Sequence, residues 1–144
     1  MNSKLNGLLQ IFLWIICAFH VIVGLGLNLS SGFPQIMAGY YGATVAWTPE
    51  LLYILKPVGA FMIAIGIMAA AAARDPLGHR SIVYGLVALF VIRGLQRIAF
   101  AEEIAGAVAI DSTRNIINAV IFLLLGGVLF FLYGAISKGA SSNP

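Results

Sequence analysis

Charge is what this chain has least of. Asp, Glu, Lys and Arg make up 9% of its 144 residues, against about 25% in a soluble domain, which excludes a fold dressed in charged surface. Cysteine is next: Cys17 stands alone in an apolar run, so no intrachain disulfide, CxxC pair or thiolate metal site can form, and an inert buried thiol is expected. Only His20 and His79 are histidines; they fall in a span and in a loop, which excludes a bis-histidine haem within the chain. There is no phosphate loop, zinc motif, G-x-S-x-G or paired-histidine helix, so neither catalytic nor metal-binding residues are assigned. The pI of 9.3 comes without an aromatic-interleaved basic patch, and nucleic acid is not an expected partner.

What fills the chain instead is hydrocarbon: 61% of residues are hydrophobic and mean hydropathy is +1.01. Four apolar stretches, residues 5–29, 51–73, 81–100 and 116–136, each hold at least 20 residues, and about 20 span a bilayer as a helix. The expected fold class is all-α, a four-helix transmembrane bundle in a single integral membrane domain, residues 1–144. The first stretch exceeds the apolar length of a signal peptide and no A-x-A cleavage pattern follows, so it reads as a retained helix.

Loop charge sets the expected orientation. Lys4, the Arg74–Arg80 loop and Lys138 are basic, whereas Ser30–Glu50 has no Lys or Arg and the third loop carries Glu102, Glu103 and Asp111. Positive-inside bias puts both termini in the cytoplasm, with Arg114 the one dissenting charge.

The first loop is aromatic and uncharged. Ile36, Met37, Tyr40 and Tyr41 recur at helical spacing, which predicts a short helix between the first two spans, lying in the interface or folded as a lid onto the bundle. Residues 101–110 are expected to extend the third helix. Thr48-Pro49-Glu50 has the form of a helix start, Asp111, Ser112 or Thr113 can cap the fourth helix, and residues 139–144 are expected to form a disordered tail.

Polar residues inside the spans are the best pointers to function, because a Lys or Arg in hydrocarbon costs about 2.5–3.5 kcal/mol on insertion scales. Lys56 lies in the second span, Arg93, Gln96 and Arg97 in the third, His20 in the first and Asn118 in the fourth. At about 1.5 Å per residue all fall in the outward half. Arg93 and Arg97 share a helix face, as do Asn115 and Asn118. Pro57 cannot donate a backbone hydrogen bond and crowds the Tyr53 carbonyl, and a kink there would open a carbonyl to the neighbours of Lys56 or to the arginines. Two readings follow. In the structural one, Lys56, Arg93 and Arg97 pair with Glu50, Glu102, Glu103 and Asp111 or snorkel to the interface, and His20 is a satisfied core histidine. In the other, His20, Lys56, Arg93, Gln96, Arg97 and Asn118, covered by Tyr40 and Tyr41, bind an anionic headgroup, a carboxylate or a quinone-type carbonyl. Gly59, Ala60, Ala64, Gly66 and Ala69–Ala73 give the second span a small-residue face for close helix contact, internal or with a partner protein.

The segment Leu55–Ile98 resembles the DoxX-like group of small four-helix membrane proteins. The likeness rests on Lys56-Pro-Val-Gly-Ala60 followed by Gly66, on Ala73-Arg-Asp-Pro76 with Arg80, and on Arg93-Gly-Leu-Gln-Arg97. That group has a polar residue before a glycine-rich second helix, a basic inner loop and an Arg late in the third helix; Lys56 stands where the group has Arg. The group is named for a subunit associated with quinone-linked sulfur oxidation, so the resemblance implies a four-helix fold with a polar outer pocket and a quinone or lipid as ligand. Three functional readings result, all with membrane lipids as surroundings and a bacterial inner membrane as the expected location. One is a non-catalytic accessory or assembly subunit bound to other membrane subunits or to copies of itself. Another is a quinone- or lipid-binding subunit of a redox enzyme. The third, a small oligomeric transporter, is disfavoured because no acid lies deep enough for a proton relay.

Overall fold

A computed structural model describes residues 2–141. Six helices follow one another: α1 (Asn2–Leu29), α2 (Phe33–Tyr41), α3 (Pro49–Arg74), α4 (Arg80–Ala99), α5 (Ala101–Val108) and α6 (Ser112–Ser141). No strand occurs among the described residues. Helices α1, α3, α4 and α6 are long and apolar enough to cross a membrane, and α2 and α5 lie in the connections at one end, the capped end. The chain is an all-α, four-helix integral membrane protein.

Local chemistry starts and stops these helices. Thr48 caps α3, its Oγ1 accepting from the Leu51 amide at 3.3 Å, with Pro49 in the first turn. Asp111 caps α6: its Oδ2 accepts from the Thr113 amide at 2.9 Å and the Arg114 amide at 3.3 Å. Helix α3 runs unbroken through Pro57. Two expectations are corrected. The third span does not continue past the membrane as one helix; it stops at Phe100 (φ −111°, ψ 30°), and α5 begins afresh with Glu102 and Glu103 in its first turn, where the helix dipole favours acids. The predicted tail is helical as far as Ser141, the last turn continuing α6 without a break; residues 142–144 lie outside the described part.

The helices pack as two antiparallel pairs, α1 with α3 and α4 with α6. The first pair meets through glycine. A Cβ on Gly24 would lie 2.6 Å from the Gly59 carbonyl oxygen, and one on Gly66 3.1 Å from the Cys17 carbonyl, so any side chain there would drive the backbones apart. Gly59, Gly66, Ala69, Ala72 and Ala73 are buried, whereas Ala60 and Ala64 are exposed. The small-residue face is therefore used inside the chain. In the second pair Gly94 meets Leu123 and Ala119.

The two pairs join through α1 and α6, while α3 and α4 touch sparsely. Their common core, with Leu9, Leu13, Ala69, Val83, Leu129 and Ile136, belongs to the end away from α2 and α5. Ile11, Ile22, Phe61, Ile67, Ile92, Ile116 and Phe131 remain exposed on the outside; a surface this apolar suits lipid and not water.

Candidate functional site: a cleft at the capped end

Where the pairs diverge, two adjoining recesses open. One, about 230 Å³, lies between α1, α3 and α4 and is bordered by Val58, Met62 and Arg93. The other, about 180 Å³, lies between α1 and α6 and is bordered by Ile16, Asn118 and Leu125. Phe19, His20, Tyr41, Phe90 and Phe122 border both and form the partition between them.

His20 is the centre of that partition and only 4% exposed. Its Nδ1 lies 2.8 Å from the Ile16 carbonyl oxygen. A carbonyl only accepts, so Nδ1 carries the proton and Nε2 is left as an acceptor. No partner for Nε2 occurs among the described residues, and no fully buried polar atom among them lacks one. Nε2 therefore opens onto cavity space. The ring is held edge-on by Phe19 and Phe90, with centroids 5.5 and 6.2 Å away.

Arg93 supplies the opposite chemistry. Its guanidinium sits 4.8 Å from the centroid of Phe122, a cation–π contact, and Arg93, although an exposed residue, borders the first recess. Phe90 and Phe122 stack at 6.4 Å with 21° between planes. The cleft thus offers a donor-only cation, a neutral acceptor and flat apolar walls.

Arg97 is tied down behind the cleft. Its Nη1 donates to Asn115 Oδ1 at 2.9 Å, and Asn115 Nδ2 donates to the Arg97 carbonyl at 2.8 Å. The guanidinium also lies 5.5 Å from the Tyr41 ring. An amide and aromatic faces, not the carboxylates of the structural reading, hold this cation; Asp111 is occupied as a cap.

Helix α2 is a lid. Phe33 packs on the bare backbone of Gly26, Met37 and Tyr41 turn into the first recess, Ile36 faces outward, and Tyr40, largely exposed, borders the rim of the second recess. Its far end stops at Gly42, φ 72°, where a Cβ would lie 2.5 Å from Arg114 Cδ. The Thr44 amide then donates to the Val108 carbonyl at 2.8 Å, joining the lid segment to α5. Arg114, the dissenting charge, packs against the lid.

The expected set is thus divided. His20, Arg93, Asn118, Tyr40 and Tyr41 come together on the two recesses, and Arg97 buttresses them. Two residues are corrected out of the cluster. Lys56 is exposed and borders a separate recess with Asn28, Ser30 and Ser31; it follows Leu55, which does line the cleft, and one helical step turns about 100°. Gln96 is exposed and borders none of these recesses, since on the α4 wheel Phe90 and Arg97 lie on one side of Arg93 and Gln96 on the other. Asn115, 5% exposed, and the rings of Phe19, Phe90 and Phe122 were not expected. The i, i+3 pairing of Asn115 with Asn118 was a visible signal for the first; the rings had none, being indistinguishable in sequence from lipid-facing aromatics.

No family model, no curated protein and no solved structure matches this chain. The cleft itself carries the functional argument.

Proposed function

We propose that this protein binds a quinone-type ligand in the cleft at its capped end. The observation that carries the reading is the pairing of His20 Nε2, an unpartnered acceptor that opens onto the recess from a buried ring, with the Arg93 guanidinium on the same recess. A hydroquinone or quinone head presents oxygens at both ends of a flat ring. Arg93 donates to one oxygen; Nε2 accepts from a hydroxyl on the other; Phe90 and Phe122 offer ring faces. A phosphate or carboxylate head would satisfy Arg93 but bring negative charge towards the Nε2 lone pair. The match favours the hydroxyl-bearing, reduced ring over a purely anionic headgroup.

In this reading the chain is the ligand-holding subunit of a larger membrane redox complex, in a bacterial inner membrane with both termini in the cytoplasm, and a member of the DoxX-like group. The accessory role is thereby joined to the binding role. Close helix contact with a partner has less support, because Gly59, Gly66 and their neighbours already pack on α1.

The test is extraction of the protein in lipid nanodiscs followed by mass spectrometry of what it retains. A quinone is expected with the wild type and lost in His20→Leu and Arg93→Gln. Retention of phospholipid alone, or equal retention by all three proteins, overturns the reading.

A further inference from the structure

The first recess is one end of a longer feature. On α3, Leu55, Val58 and Met62 border it, and the same stripe goes on as Ile65 and Met68 into another recess of about 380 Å³. On α4, Arg93 and Phe90 are continued by Leu89, Leu86, Gly85 and Ile82. The join is local: Met62 to Ile65 on α3 and Phe90 to Leu86 on α4 are single-turn steps, and both recesses are bordered by α3 and α4. The two recesses therefore lie along a single seam, the sparse α3–α4 contact. From Arg93 to Ile82 it is about 16 Å long at helical rise. Every lining group beyond Arg93 is apolar apart from Ser81 at the far end.

We infer that this seam receives the hydrocarbon tail of the ligand, and that the site selects a long, single-chain amphiphile. The inference rests on the head-site reading above. Continuity supports the direction: Met37 and Tyr41 of the lid close the cleft at the capped end, so a tail attached to a head beside His20 leaves along α3 and α4 towards the Asp75–His79 turn. Packing supports the number of chains. Away from the capped end, α1, α3, α4 and α6 share the close core of Leu9, Leu13, Ala69, Leu86 and Leu129, and the α3–α4 seam is the groove that continues the head recess. A diacyl phospholipid would place one chain in the seam and leave the other outside it. A head on one isoprenoid chain uses the whole feature.

Gly85 provides the test. A Cβ there would meet nothing within 4 Å and Gly85 borders the groove, so Gly85→Phe starts in open space and puts a ring at the groove. Gly127 is equally open and borders none of these recesses, so Gly127→Phe is the control. Two probes share a benzohydroquinone head, kept reduced: one has a long isoprenoid tail ending in a photoreactive diazirine, the other a single isoprene unit. In phosphatidylcholine nanodiscs the wild type is expected to retain both, the long one more tightly, and its photoproducts to map to Met68, Ile82 and Gly85. Gly85→Phe weakens the long probe several-fold and leaves the short one unchanged; Gly127→Phe changes neither. Photoproducts spread evenly over outward residues such as Ile67, Ile92 and Phe131, with the short probe still bound, overturn the tail assignment, and the groove is then filled by bulk acyl chains. Equal weakening of both probes by Gly85→Phe overturns it as well. Loss of both probes by the wild type removes the head site and the inference with it. The photoproduct map needs no variant, so a misfolded Gly85→Phe does not rescue the proposal.

Discussion

Arg97 and Asn115 hold each other twice, side chain to side chain at 2.9 Å and side chain to backbone at 2.8 Å. This clamp ties the end of α4 to the start of α6 just where the bundle loosens around the cleft. It also divides the labour between two arginines one helical turn apart. Arg97 is spent on structure, while Arg93, touching a ring face, makes no side-chain hydrogen bond among the described residues.

Replacing Asn115 by Ala should destabilise the protein by about 1–3 kcal/mol, since it strands a guanidinium and a carbonyl in an apolar setting. Arg97→Gln should cost a similar amount. Arg93→Gln should alter thermal stability in nanodiscs far less than either and act on ligand retention instead. Equal melting temperatures for all three variants would contradict this division.

The Gly24–Gly59 crossing predicts a steric response. Leu at either position must separate α1 from α3, and overpacking of this kind costs about 1–3 kcal/mol. Ala64→Leu on the exposed side of α3 should be neutral. Thermal unfolding of the three variants in one detergent distinguishes them.

The lid tyrosines should not be equivalent. Tyr41 borders both recesses and lies under Arg97, whereas Tyr40 is 83% exposed. Tyr41→Ala should speed loss of a bound quinone several-fold, and Tyr40→Ala should do so weakly. An off-rate measurement in nanodiscs that ranks them in the reverse order would count against α2 as the cover of the cleft.

Four crossings return the chain to its starting side. With Cys17 replaced by Ser, a cysteine at Lys138 should be protected from a membrane-impermeant thiol reagent in intact cells, and one at Ser31 should be labelled. The opposite pattern would reverse the orientation drawn from the basic Arg74–Arg80 loop.

Part of the candidate site is legible in the amino-acid sequence. His20, Arg93 and Asn118 stand out because polar groups are costly in hydrocarbon, whatever they touch. The exclusion of Gln96 is not legible, since helical pitch sets it as far from Arg93 on one flank as Phe90 is on the other, and only packing decides which flank faces the cleft. The separation of Lys56 is not, because the direction that α3 turns towards α1 depends on which glycines meet. Phe90 and Phe122 are invisible for a related reason: an aromatic ring carries no polar cost that marks a membrane residue as inward.

Apolar run length, capping residues and helical periodicity are local properties. They suffice to specify a membrane protein of four long helices, the points where those helices begin, and a short helix over one end. Packing settled the rest: which helices pair, that Gly59 and Gly66 of α3 are packed against α1, that Arg97 is clamped while Arg93 makes no side-chain hydrogen bond among the described residues, and that α3 and α4 part to leave a seam. Each of these depends on contacts between residues distant in the chain, such as Gly24 with Gly59 and Arg97 with Asn115, and no local pattern encodes which of several apolar faces will meet.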